Sequence, residues 1–74
     1  MPLYKINVSR LRALMADKNL RIDDVCKLLN LNVDVFRKYY RGQASLMYRP
    51  VIESLAKVLE VDWQELTRSE NGED

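Results

Sequence analysis

The sequence predicts an all-α fold, five short helices in one compact domain, and three observations carry that prediction. Apolar residues recur at i, i+3 and i+4 in successive short segments, residues suited to capping stand at the segment ends, and no strand-like alternation of useful length competes. At 74 residues with 47% hydrophobic content, the chain can form one small core but not two. The domain is expected over residues 1–68, with its core at about 7–67, followed by a polar, acidic tail over 69–74 (SENGED).

The first helix is read from Val8, Leu11, Leu14 and Met15, with Asn7 as its cap and a stop near Asn19. The second is suggested by Val25, Leu28 and Leu29, with Asp23 and Asp24 in its first turn, where negative charge complements the helix dipole. Asn30 suits the exit because asparagine tolerates the left-handed conformation, and Asn32 can cap the helix that follows. The third segment carries Val35, Phe36 and Tyr39 as inward positions and ends at Gly42. Its other face shows Val33, Asp34, Arg37, Lys38 and Arg41. A loop runs from Gln43 to Arg49, and Pro50 fits the first turn of a fourth helix that turns Val51 or Ile52, Leu55, Ala56 and Leu59 inward. Asp62-Trp63-Gln64-Glu65 then has capping-box spacing and opens a short fifth helix that tucks Trp63 and Leu66 onto the core.

Composition narrows the functional classes. With no histidine, one cysteine, two glycines and two prolines, the chain offers no metal site, no intramolecular disulfide and no Gly-rich phosphate loop. No cofactor is expected, and no nucleophile stands beside a recognisable base, so the sequence does not read as an enzyme. No run of about 18 apolar residues and no signal-peptide pattern is present, which makes a cytoplasmic protein with no membrane partner the expectation. The net charge is only +1, yet residues 1–50 carry ten basic and four acidic groups, a balance of +6, and residues 51–74 carry two and seven, a balance of −5. The basic part can meet phosphate while the acidic part faces away or meets a partner.

The stretch LRIDDVCKLLNLNVDVFRKYYRG, Leu20 to Gly42, thus reads as two helices around a tight break at Asn30-Leu31-Asn32, a helix-turn-helix. With the spacing of Leu20, Val25, Cys26, Leu29, Asn30, Phe36, Tyr39 and Gly42, and with ESLAKVLEVDWQEL downstream, it resembles the lambda-repressor/Cro-type family of bacterial and phage transcription regulators over roughly Val8 to Leu66. Cys26 falls where that family usually has alanine, and a small apolar thiol can serve the same close helix approach. Met15 and Tyr40 stand where the family often has a buried Arg–Glu pair; losing both partners together strands no charge. Arg21 and Ile22 replace a Thr-Gln pair, so one phosphate clamp of the family is altered.

The resemblance implies base contacts from Asn32, Val33, Asp34, Arg37 and Lys38 at the start of the third helix. Arg37 or Lys38 can donate to guanine, Val33 can touch a thymine methyl, and Asp34 can accept from cytosine N4. Asp34 has a simpler reading as a carboxylate favoured by the helix dipole, and the basic side chains can be a solvated helix face. Phosphate contacts are expected from Arg21 and Arg41, then from Arg10, Arg49 and Lys5. The implied partner is double-stranded DNA, bound as a palindromic operator by a homodimer. Trp63, Leu66 and the Leu3/Tyr4 arm are candidate interface elements. A protein-interaction module, an antirepressor or adaptor with a regulatory protein partner, is the alternative; an apolar face around Ile22, Val33 and Tyr48 would favour it.

Overall fold

A computed structural model describes residues 3–67; the acidic tail read over 69–74 lies outside the described residues. Four α-helices follow the sequence reading: α1 Val8–Asp17, α2 Ile22–Leu29, α3 Val33–Tyr40 and α4 Arg49–Leu59. Two parts of the all-α, five-helix expectation need correction. The fifth helix is a single 3₁₀ turn, Trp63–Leu66, in which Glu65 N–H donates to the Asp62 carbonyl at 2.9 Å. Four residues between a cap and Thr67 are too few to propagate an α-helix, so the tighter i→i+3 bond closes the turn. The second correction is a two-stranded antiparallel ribbon, β1 Leu3–Lys5 and β2 Leu46–Tyr48, in register Leu3↔Tyr48, Tyr4↔Met47 and Lys5↔Leu46. Each strand spans three residues, too short for alternation to stand out, and the pairing joins segments distant in sequence.

Inside the ribbon Met47 is buried and Tyr4 is half-buried, while Leu3, Lys5, Leu46 and Tyr48 point outward, as the period of two requires. Ile6 N–H continues the ladder to the Ser45 carbonyl at 2.6 Å, and Asn7 N–H donates to the Leu66 carbonyl at 2.7 Å, tying the start of the chain to its last turn.

The helices bury Leu11, Leu14 and Met15 from α1, Val25 and Cys26 from α2, Phe36 from α3, and Ile52, Leu55, Ala56 and Leu59 from α4. Leu66 of the 3₁₀ turn is fully buried with them. Phe36 is the largest of these side chains and stands at the meeting of the helix-turn-helix with the rest of the core. Its removal to alanine would cost about 3 to 5 kcal/mol, comparable with the whole stability of a small domain. Two apolar positions depart from expectation: Val35 is 52% exposed and Leu28 is 64% exposed. With Phe36 aimed at the core, its neighbour Val35 is rotated about 100° away, and Cys26 with Val25 leaves Leu28 outside in the same way.

All four helices stop by one device. Asn19, Asn30, Gly42 and Glu60 adopt positive φ, at 56°, 56°, 78° and 60°. The next residue then donates back five positions, as in Leu31 N–H to the Cys26 carbonyl at 2.9 Å and Val61 N–H to the Ala56 carbonyl at 3.0 Å. These bonds satisfy carbonyls that a helix end leaves unpaired. Only Gly42 adopts that geometry without a Cβ penalty. Among the described residues no helix is long and apolar enough to cross a membrane.

Candidate nucleic-acid interface

The turn between α2 and α3 is built from its caps. Asn30 ends α2 in the left-handed conformation, and Asn32 opens α3 by accepting from Asp34 N–H at 2.8 Å and Val35 N–H at 3.2 Å. Its side-chain carbonyl is therefore engaged, and the amide NH₂ is the end of Asn32 left for a base. At the start of α2, Arg21 N–H donates to Asp24 Oδ2 at 2.9 Å, so the carboxylate restrains the Arg21 backbone while the Arg21 side chain stays exposed.

On α3, positions 34, 37, 38 and 41 share an arc of about 100° opposite Phe36. Asp34, Lys38 and Arg41 are exposed, and Arg37 is half-buried. Arg37 Nη1 lies 3.4 Å from Asp34 Oδ1. The Arg37 guanidinium also acts on α2. Burial and the Asp23 carboxylate push the Cys26 thiol above its ordinary range, and the positive charge of Arg37 acts in the opposite direction. Buried and held neutral, Cys26 is a packing residue, as its place in the resemblance implies.

The remaining candidates separate by their surroundings. Among the described residues Lys5, Arg21, Lys38 and Arg41 have no ion-pair partner. Arg10 is paired with Glu65 at 3.1 Å, and Arg49 is paired with Glu53 at 3.2 Å while lying 4.5 Å from the centroid of the Trp63 ring. Tyr4 meets the same indole edge-on at 5.2 Å, so Tyr4, Trp63 and Arg49 form one intramolecular stack. Trp63 and Tyr4 are thereby engaged within the chain and Leu66 is wholly inside it, which corrects the expectation that Leu66 serves an interface between copies. Leu3 remains 49% exposed.

Val33 and Ile22 are half-buried and pack against the core, while Tyr48 is 49% exposed. A mainly apolar, uncharged groove is lined by Leu31, Asn32, Val35, Tyr39, Tyr48 and Val51, while Leu3 and Leu28 are exposed outside it. Sequence reasoning missed this groove because it treated Val35 as core and β2 as loop. It also missed the Asp34–Arg37 pair, for which i,i+3 spacing was a signal. Tyr40 packs against the core under Arg12, whose guanidinium lies 5.2 Å from the ring centroid; the position matching half of the family's ion pair is filled by an amphipathic contact.

Residues 10–70 match the sequence profile of the Cro/C1-type HTH DNA-binding domain. The chain belongs to that family. Its members' shared module, a helix-turn-helix that binds DNA, is therefore assigned here to α2 and α3. Comparison with curated proteins gives no match, and neither does comparison with solved structures. The Cro/C1-type assignment thus rests on the profile, on the capped α2–turn–α3 unit and on the α4 packing that completes the domain.

Proposed function

We propose that this Cro/C1-type domain is a sequence-specific transcriptional regulator, a small repressor or Cro-like protein that acts by occupying its operator. The outward face of α3, with Asp34, Arg37, Lys38 and Arg41 on one arc, is the observation that carries this reading. Inserted in the major groove, that face presents donors for guanine from Arg37, with Asp34 beside it, and from Lys38, an amide at Asn32 and the half-buried Val33 for a thymine methyl. Arg21 and Arg41 flank it as phosphate contacts, and Lys5 adds a further cation. Arg10 and Arg49 would contribute less, because carboxylates already neutralise them.

Pairing of two domains on a palindrome, with the two α3 helices about one DNA turn apart, would supply the specificity that a single module lacks. A fluorescence titration of the protein against library-selected duplexes at several salt concentrations tests the proposal. Binding that weakens with salt and prefers the selected motif supports it; salt-insensitive or motif-blind association contradicts it. The alternative, a protein-interaction module of antirepressor or adaptor type, draws on the uncharged groove between α3, β2 and α4. Val35→Lys separates the two readings: it should leave motif preference in place if the α3 arc is the working surface.

A further inference from the structure

We propose that Asp34 is a positioning residue for Arg37, holding the guanidinium so that α3 demands a guanine at one operator position; this rests on the DNA-reading function proposed above. Asp34 is the one acidic side chain on the α3 arc, and its carboxylate is 86% exposed on the surface that would meet a polyanion. Alone, it would repel phosphate. With Oδ1 beside Arg37 Nη1 at 3.4 Å, its charge is offset and the long Arg37 side chain loses part of its rotational freedom before binding.

The Arg37 side chain is itself only 41% exposed, so it is partly held against the domain surface instead of extending freely into solvent. Asp34 itself is fixed by the cap: its backbone N–H is bound by Asn32 Oδ1 at 2.8 Å. The chain of restraint runs from Asn32 to Asp34 to Arg37. Stability does not explain the pair, because an exposed single bond of this length contributes little to folding. In a desolvated major groove the same pair strengthens and leaves the remaining guanidinium donors for guanine O6 and N7.

The test is library selection followed by titration with the wild type, Asp34→Ala, Asp34→Asn, Arg37→Ala and the double variant. Asp34 is exposed, so these variants should fold, which circular dichroism verifies. The wild type should prefer guanine about tenfold at the position that Arg37→Ala relaxes. Asp34→Ala and Asp34→Asn should erase most of that preference while binding to an unrelated duplex stays equal or tightens, since a charge facing phosphate is gone. In the Arg37→Ala background, removing Asp34 should change no base preference. The inference is overturned if Asp34→Ala keeps the guanine preference, or if it relaxes a different position independently of Arg37, which would make Asp34 a base reader itself. A wild type that enriches no motif defeats the DNA-reading proposal, and this inference with it, and is recognised without any variant.

Discussion

The Tyr39 hydroxyl donates to the carbonyl of Leu46 at 2.5 Å, fastening the end of α3 to the ribbon strand β2. The bond stiffens the segment between α3 and α4, and it sits at the edge of the groove that Val35 and Tyr48 flank. Tyr39→Phe should lower stability by about 0.5 to 1 kcal/mol, since Leu46 is an exposed residue whose freed carbonyl can turn to water. Urea unfolding reads the loss, and amide exchange should quicken first at Leu46 to Tyr48. No change in either measurement would mean that the hydroxyl is not engaged.

Asn32 has two roles that substitution can separate. Asn32→Ala removes the cap of α3 and should cost about 1 kcal/mol. Asn32→Asp keeps a capping oxygen, so the stability measured by thermal unfolding should stay near wild type. It should nevertheless weaken DNA binding, because a carboxylate replaces an amide on the face turned toward phosphate. If Asn32→Asp bound DNA as the wild type does, Asn32 would be a cap alone.

Fold and site were legible to different depths. The caps at Asn7, Asn30 and Asn32 and the inward residues Leu11, Val25, Phe36, Leu55 and Leu59 follow from local chemistry and helical spacing, and the structure keeps them. The ribbon was hidden because Tyr4 meets Met47 across the chain, and three-residue strands hold no period to read. Val35 and Leu28 were misplaced for another reason: adjacent apolar residues on a short helix cannot all face inward, and only packing decides which one does. At the site, the cations are legible in the sequence, but which of them are already paired across the fold is not. That Arg10 lies against Glu65 and Arg49 against Trp63 depends on how the 3₁₀ turn folds back.

Glu60 closes α4 in a left-handed conformation and pairs with Lys18 at the end of α1. The bond to Lys18 and its positive charge hold the Glu60 carboxyl below its ordinary range. A lowered folded-state value contributes stability that is present above the unfolded value and lost as pH falls through the folded one. Glu60→Gln should therefore flatten the acid side of the stability–pH curve and leave the shape above neutrality unchanged. Glu60→Gly removes the same pair but relieves the Cβ strain, and its melting temperature at neutral pH should equal or exceed that of the wild type.

Cys26 is 2% exposed, and its thiol is held above the usual range, chiefly by burial. The native protein should resist thiol reagents until it unfolds. Because the folded value is raised, the neutral thiol's stabilisation is complete below the unfolded thiol's range and is lost as pH rises through the folded value. Cys26→Ala should remove that alkaline loss with little change at neutral pH, whereas Cys26→Leu should cost about 1 to 3 kcal/mol by forcing α2 away from its neighbours. Rapid native labelling of Cys26 would contradict the packing role.

The central claim is that the α3 arc reads DNA, and the most direct measurement is parallel library selection with the wild type, Arg37→Ala and Lys38→Ala. The account predicts one enriched motif for the wild type, with Arg37→Ala relaxing a single guanine position at a cost of about 1 to 3 kcal/mol. Lys38→Ala should relax a neighbouring position or, if it holds phosphate, weaken all sites together. No enriched motif for the wild type, or a motif unchanged by both substitutions, would contradict it.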